Sequence, residues 1–216
     1  MGAVGLLFVG AVLFVNAIML LGHVDPRSGA VFNLFVGALQ TFVPIYLIAS
    51  ARTPDDIFLA SGIFLFGFTY LYVGITNLAK HPPLGLGWYC SWVSIMALAY
   101  ALASFLHFHD AKFGVIWLMW SFLWGLFFVV LGLGQERFTR FTAWVTMIEA
   151  WITAVIPAYL ILGGWWDRVS TTLVVAVGIG AAIVFAALAL MTIQRPRMVP
   201  AAPSGPAGDL TAGQPR

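Results

Sequence analysis

The sequence predicts an all-α membrane protein with seven transmembrane helices. Of its 216 residues, 62% are hydrophobic and only 8% are charged, and the mean hydropathy is +0.98. Soluble domains carry about 25% charged residues, so this composition excludes an ordinary soluble fold. Seven apolar runs are each long enough to cross about 30 Å of hydrocarbon, which takes about 20 helical residues. The connections between them are short, so neighbouring helices are expected to be antiparallel.

The seven runs follow one another with charged residues, proline or glycine at their boundaries. They cover residues 2–21, 29–50, 57–78, 88–106, 113–134, 141–163 and 169–193. No basic segment precedes the first run, which stays apolar past residue 20, so we expect an uncleaved first helix. A transmembrane domain is therefore predicted over residues 1–194. Residues 195–216 are rich in Pro, Ala and Gly and are expected to form a disordered cytoplasmic tail.

Basic residues are distributed unequally between the two sets of connections. One set, with the tail, holds Arg27, Lys80, Arg137, Arg140, Arg195 and Arg197, and the other holds Arg52, Lys112 and Arg168. Cytoplasmic loops carry an excess of Lys and Arg. The sequence therefore predicts that the N-terminus lies outside the cell and the C-terminus inside.

Several classes of protein are disfavoured by the charge and the residue types. The formal net charge is +2 and no basic cluster tracks phosphates, so a nucleic acid partner is not expected. Lys80 and Lys112 lie in connections, which argues against a retinal protein, and the four histidines lie at the ends of runs, which argues against a haem protein. No combination of nucleophile, base and orienting residue is present. We therefore expect neither a cofactor nor a metal, and no enzyme activity.

Glu149 is the one charged residue deep inside an apolar run. An acidic residue at a helix centre costs about 2.5–3.5 kcal/mol, so it is expected to face the bundle interior. Thr142, Thr146 and Thr153 share its helix face. Glu149 is either part of a solute pathway or an interhelical contact with Thr, Tyr or Trp. The threonine hydroxyls are expected to bond back to their own helix.

Aromatic residues in the middle of two other runs are expected to lie at the depth of Glu149. At a rise of 1.5 Å per residue, Phe66 and Trp124 lie roughly 14 and 16 Å from the outer ends of their runs, near the midplane, and Tyr70 follows about one turn further in. Flat aromatic faces beside a carboxylate suit a small planar polar solute, although rings at this spacing also simply pack a helix bundle. Trp117 and Trp120 share a helix face with Trp124, and Tyr70 shares one with Phe66.

A weak internal repeat relates the second, fourth and sixth runs. The segment VPIYLIA over residues 43–49 is similar to IPAYLIL over 156–162, and Tyr100 occupies the corresponding place in LAYALA over 98–103. Such repeats are frequent in transporters and would give three helical hairpins. Chance similarity in an apolar sequence is the alternative.

Several longer motifs identify a family resemblance over residues 1–163. They are LLFVGAVLFVN, VDPRSGAVFNLFVG, LFGFTYLYVGITN, IWLMWSFLW and FTRFTAWVTMIEAWITAVIPAYL. The chain resembles the acid-activated urea channel and amide transporter family (AmiS/UreI). The resemblance implies a six-helix bundle of three hairpins, arranged as a homo-hexamer, in which each protomer conducts urea or small amides passively.

The resemblance also implies the residues of the pathway. It places one constriction toward the cytoplasm and a second toward the outside, the latter involving Val9 and Leu13 with Asn16 nearby. The cytoplasmic constriction is formed by Phe66, Tyr70, Trp120, Leu123, Trp124 and Glu149.

Two features depart from the resemblance. The seventh run is additional to the six helices of a urea channel. The outer connections are shorter, and their only histidines are His107 and His109, beside Asp110. These three residues are candidates for pH sensing, because histidine changes charge near pH 6, or they are simply solvated.

The expected function is therefore a passive channel for urea or short-chain aliphatic amides. We expect it in the lipid bilayer of the bacterial cytoplasmic (inner) membrane, supplying an intracellular amidase or urease. The alternative is a proton-coupled amide transporter that uses Glu149 as the proton carrier.

Overall fold

The computed structural model describes residues 1–193, and every regular element in this range is helical. The predicted tail therefore lies outside the described residues. Within them, seven helices are long and apolar enough to cross a membrane, which confirms the predicted fold class. They are α1 Gly2–Leu20, α2 Pro26–Ala49, α3 Pro54–Ala79, α4 Leu84–Leu106, α5 Ala111–Gly132, α6 Glu136–Leu162 and α7 Thr171–Thr192.

Helices α2 and α3 begin three residues before the apolar runs that predicted them. Asp25 accepts hydrogen bonds from the backbone N–H groups of Arg27 and Ser28 at the start of α2. At the start of α3, Thr53 and Asp56 form a reciprocal capping box. These caps satisfy N–H groups that an α-helix leaves unpaired at its N-terminus. The first turns of α2 and α3 are therefore polar, and they precede the apolar runs from which the two helices were predicted.

The first six helices form three extensive pairs, which are α2 with α3, α4 with α5, and α6 with α1. Each pair joins an even-numbered helix to an odd-numbered one, so the bundle has the threefold arrangement of helix pairs that a repeat would give. The tyrosines of the repeated motif do not share an environment, however. Tyr46 and Tyr159 are exposed on the outer surface, whereas Tyr100 is buried.

Helix α6 contains a π-helical segment, Ala150–Val155, immediately after Glu149. Proline has no N–H and its ring clashes with the carbonyl four residues earlier, so Pro157 disfavours a regular α-helix over this turn. Helix α1 crosses the widened turn at Gly10. A Cβ atom there would lie 3.0 Å from the Ala150 carbonyl oxygen and would also clash with the Val155 side chain. Glycine is required because the two backbones approach so closely.

Helix α3 is interrupted at Gly62, between the segments Pro54–Ser61 and Ile63–Ala79. A Cβ atom on Gly62 would lie 3.1 Å from the rings of both Tyr100 and Trp117. The Tyr100 hydroxyl lies 2.6 Å from the Ser61 hydroxyl, which fixes the first segment against α4. The break therefore lets two aromatic side chains pack against the α3 backbone.

Helix α7 lies against α5 and α6 on the outside of the six-helix bundle. Only Ala181 and Phe185 of this helix are buried. The connection that precedes it is held by Lys112, whose Nζ donates to the carbonyl oxygens of Trp166 at 3.1 Å and Val169 at 3.4 Å. The same ammonium group lies 4.9 Å from the Trp166 ring centroid.

Candidate functional site

Two vestibules enter the six-helix bundle from opposite ends. The first vestibule, of about 520 Å³, opens at the end that holds Gly2, and the second, of about 300 Å³, opens at the end that holds Pro83. Phe66 and Trp120 line both of them. These two residues, called the waist below, therefore form the wall between the vestibules.

The waist is built from rings in direct contact. The Phe66 and Trp120 centroids lie 4.7 Å apart with an interplanar angle of 81°, and the Trp124 ring lies 4.8 Å from that of Phe66. Trp117 makes an edge contact with Trp120 at 4.9 Å from the first-vestibule side. Tyr70 follows one turn after Phe66, with its ring 6.4 Å away. The aromatic residues predicted to share one depth are therefore brought together.

The odd-numbered helices α1, α3 and α5 line the pathway with residues at matching intervals. On each helix the lining residues are spaced by four and then by three positions, which keeps them on one face. The first residue of each set lies at or beside the waist, and the others line the second vestibule. They are Val9, Leu13 and Asn16 on α1, Phe66, Tyr70 and Val73 on α3, and Trp120, Trp124 and Phe127 on α5.

Val9 and Leu13 lie on different sides of the waist. Val9 lines the first vestibule, whereas Leu13 and Asn16 line the second, as does Leu123. Asn16 is also held by Asn33 of α2 through two reciprocal amide hydrogen bonds of 3.0 and 2.7 Å. The resemblance grouped Val9 and Leu13 in one outer constriction, which stays a prediction; in the structure the two residues line different vestibules.

Trp120 is positioned by a hydrogen bond from α6. Its indole Nε1 donates to the Thr153 hydroxyl at 2.8 Å, and that hydroxyl donates to the Glu149 carbonyl oxygen at 2.6 Å. All of these groups are buried. Thr146 makes the same kind of bond back to the carbonyl oxygen of Thr142, at 2.7 Å. The expected back-bonding of the threonines is thus present, and Thr153 additionally fixes one ring of the waist.

Glu149 is fully buried, with 0% of its surface exposed, but it does not line either vestibule. Neither of its carboxyl oxygens has a hydrogen-bond partner among residues 1–193. The interhelical partner of Trp120 is Thr153, one turn beyond Glu149. Glu149 therefore lies one turn before the residue that holds Trp120, and its role in the pathway stays a prediction.

The vestibules are apolar apart from a few polar side chains. Asp110 is the one charged residue among the residues of the range 1–193 that line them. Uncompensated burial of an ion is costly, so such a lining favours neutral solutes. Gln40, Thr76 and Asn77 also line the pathway, although they were not among the predicted site residues. The sequence does contain a signal for these three residues, because each is a polar residue within an apolar run.

The three candidate pH-sensing residues do not form one cluster. His107 contacts Asp55 of α3, with 3.0 Å between Nε2 and Oδ1, and both side chains are more than half exposed. Asp110 instead caps α5 by accepting a hydrogen bond from the backbone N–H of Phe113 at 3.0 Å. His109 has a left-handed backbone conformation with φ of 52°. Asp55 was not predicted, because the sequence gives no sign that these two connections meet.

Comparison with known proteins places this architecture in a family. The description "AmiS/UreI family transporter" fits residues 1–165. The chain is 53% identical to AmiS2 of Rhodococcus erythropolis, a candidate transporter protein, over 88% of this chain and 91% of that one. It is 45% identical to a candidate transporter of amidate substrates from Mycolicibacterium smegmatis, over 86% and 88% of the two chains.

Two solved structures share the fold. A crystal structure of the Helicobacter pylori urea channel matches with a TM-score of 0.68 and 33% identity, covering 77% of this chain and 99% of that one. A cryo-electron microscopy structure of the same channel in its closed state matches with a TM-score of 0.68 and 32% identity, over 75% and 97%. With residues 1–165 matched and relatives aligned over most of their length, the chain belongs to the AmiS/UreI family of transporters.

Proposed function

We propose that this protein is a passive transmembrane channel for urea and short-chain aliphatic amides. The observation that carries the proposal is the waist, where two vestibules from opposite ends meet at the same pair of aromatic residues. The relatives support the choice of solute, because one is a urea channel and another a candidate transporter of amidate substrates.

The chemistry of the waist suits a small, flat and neutral solute. Planar amides can slide between aromatic faces, whereas a bulkier or tetrahedral solute loses this contact. Conduction requires that the solute also leaves, so binding at the waist should be weak. The few polar groups, such as the Asn16 amide and the Thr76 hydroxyl, offer hydrogen bonds on the way without trapping an ion.

The second candidate function is proton-coupled amide transport, which the buried carboxyl group of Glu149 favours. Proteoliposomes loaded with the purified protein separate the two functions. For a channel, the internal concentration of labelled urea or acetamide rises to the external concentration and stops, whether or not an inward proton gradient is imposed. Accumulation above that level, abolished by a protonophore and by Glu149→Gln, would contradict the channel.

We also propose the setting in which the channel acts. It would form a homo-hexamer in the bacterial cytoplasmic membrane, with the first vestibule facing outward and each protomer carrying its own pathway. This arrangement would supply an intracellular amidase or urease. Support for separate pathways is that both vestibules and the waist are lined by residues of a single chain. Support for the orientation is the excess of basic residues in the connections at the other end.

A further inference from the structure

A long apolar groove lies between α7 and the surface of α5 and α6, outside the solute pathway. Its volume is about 720 Å³, and its walls are made almost entirely of aliphatic and aromatic side chains. They include Leu118, Phe122 and Leu126 of α5, Phe141 of α6, and Ala182 and Ala186 of α7. None of these residues lines either vestibule.

Two direct contacts with α5 keep the groove narrow without closing it. A Cβ atom on Gly178 would lie 2.8 Å from the Val115 side chain, so α7 touches α5 there. Further along, the rings of Phe185 and Phe122 stack with centroids 5.9 Å apart. The groove runs past both contacts, from Val115 to Leu126, which is about 16 Å along a helix axis. This length corresponds to roughly one leaflet of a bilayer whose core is about 30 Å thick.

The end of the groove near Phe138 carries positive charge. The Arg137 guanidinium lies 5.0 Å from the centroid of the Phe138 ring, and that ring lines the groove. Arg140 is exposed one turn further along α6, and neither arginine has an ion-pair partner within the described part of the chain. Glu136 is also exposed here, so the local balance is two positive charges against one negative charge.

We propose that the groove is a binding site for an anionic phospholipid, with one acyl chain between α7 and α5 and the phosphate group at Arg137 and Arg140. An apolar slot of leaflet length with cationic side chains at one end matches the two parts of such a lipid. A second copy of this chain would fill the apolar slot equally well, but it would not account for two unpaired arginines at its mouth. The charge therefore favours the lipid.

The position of the groove gives the lipid a mechanical role. The groove residues of α5 lie on the side of the helix opposite Trp120, Leu123 and Trp124, which line the pathway. An acyl chain in the groove would support α5 from behind the waist. Because α7 is additional to the helices that match the urea channel structures, the site belongs to members of the family that have this helix.

The proposal is tested by native mass spectrometry of the detergent-purified full-length protein, titrated with phosphatidylglycerol and, separately, with phosphatidylcholine. We expect phosphatidylglycerol to bind more tightly. Combined Arg137→Gln and Arg140→Gln should weaken its binding about fivefold per arginine, or roughly 30-fold in total. Arg27→Gln, an exposed arginine at the same end of the bundle, is the matched control and should leave binding unchanged.

A second pair of variants tests the groove itself. Ala182→Phe with Ala186→Phe fills the slot and should abolish binding of both lipids at this site, whereas Ala187→Phe, on an exposed position outside the groove, should not. Equal binding of the two lipids, or binding that survives the arginine substitutions, would overturn the proposal. A change of oligomeric mass in the filled variant, with lipid binding intact, would show that the groove holds a second copy instead. Because the experiment measures lipid binding, a result that overturns the lipid site leaves the proposed solute transport untouched.

Discussion

The hydrogen bond between Trp120 and Thr153 links the wall of the pathway to α6, the helix that carries the buried carboxyl group of Glu149. Tryptophan at the waist contributes a large flat face, and its position depends on which way the indole N–H points. Thr153 sets that direction because its hydroxyl accepts the N–H while donating to its own helix. The Glu149 side chain has no comparable partner among the described residues. We therefore regard Thr153 as the positioning residue of the waist.

Substituting Thr153 by valine should misplace the Trp120 ring while conserving the volume of the side chain. Interhelical hydrogen bonds in membrane proteins contribute about 0.6 kcal/mol on average, so urea flux in proteoliposomes should fall about threefold. Thr146→Val is the matched control, because Thr146 is equally buried and bonds only to its own helix. Equal fluxes in the two variants, measured by stopped-flow light scattering, would remove Thr153 from the site.

Acidification should have little effect on urea flux, and His107 is not expected to act as a pH sensor. His107 and Asp55 join two connections through a side-chain contact, with 3.0 Å between Nε2 and Oδ1. The two side chains are 63% and 57% exposed, however, so solvent screens the pair. We expect urea flux at pH 5 and pH 8 to differ by less than about twofold, with His107→Ala behaving as the wild type. A strong acid activation that His107→Ala abolishes would contradict this expectation.

The residues of the waist were predictable to different degrees. Phe66 and Trp124 could be placed at one depth from helix rise alone, because their distances from the ends of their helices are similar, and Trp120 lies one turn before Trp124. The Trp120 to Thr153 bond could not be predicted, since it depends on the rotation of α5 relative to α6. The missing hydrogen-bond partners of the Glu149 carboxyl group among the described residues could not be predicted either, since they depend on the same rotation.

The irregular turn in α6 determines how closely α1 approaches the centre of the bundle. Pro157 weakens the regular hydrogen-bond ladder, the π-helical segment Ala150–Val155 widens the helix, and Gly10 fits against the exposed backbone. π-Helical turns are frequent at functional sites. Here the turn follows Glu149 and contains Thr153, so it lies directly beside the waist.

Substituting Gly10 by valine should separate α1 from α6. The new side chain would clash with backbone atoms of α6, and overpacking of this kind costs about 1–3 kcal/mol. Gly180→Val is the matched control, because a Cβ atom at Gly180 in α7 would meet nothing within 4 Å. Thermal unfolding in detergent should show a lowered midpoint for the first variant alone. Equal midpoints would show that the close contact of α1 with the π-helical segment is not required.

Hydropathy predicted all seven helices because lipid imposes a minimum length of apolar sequence on each. It placed the start of α6 at residue 141, five residues after Glu136, since the first turn contains Arg137 and Arg140. The break at Gly62 and the π-helical segments Phe128–Gly132 and Ala150–Val155 were not predicted. Close contacts between helices accompany them, such as the approach of Gly87 in α4 to Gly132 at the end of α5.

The proposed orientation of the protein in the membrane rests on the distribution of its basic residues, and it can be measured directly. Arg52→Cys lies in a connection at the end of the first vestibule, and His81→Cys lies in one at the opposite end. The single native cysteine, Cys90, is buried and should not interfere. A membrane-impermeant maleimide added to intact cells should label Arg52→Cys alone. Labelling of His81→Cys alone would invert the proposed orientation.

Both vestibules and the waist are lined by one chain, so each protomer would conduct independently of its neighbours. Most of the lining near the waist comes from the matching faces of α1, α3 and α5. The even-numbered helices pack against these three helices. Helix α7 stands apart from this arrangement, with most of its surface exposed. Selectivity should consequently depend on the waist and not on α7 or on contacts between protomers.

The aromatic waist is proposed to select planar amides, and the permeability of Phe66→Ala is the sharpest test of this selectivity. Proteoliposome swelling would be measured with urea, formamide, acetamide and glycerol for the wild type, for Phe66→Ala and for Phe68→Ala. Phe68 is the control, because it lies on the same helix but is 48% exposed, whereas Phe66 is 6% exposed. An aromatic contact contributes about 0.5–1.5 kcal/mol, so the urea-to-glycerol permeability ratio should fall roughly three- to tenfold in Phe66→Ala and stay unchanged in Phe68→Ala. A urea-to-glycerol ratio that is the same in all three proteins, or a wild type that passes glycerol as fast as urea, would show that the waist does not select planar amides.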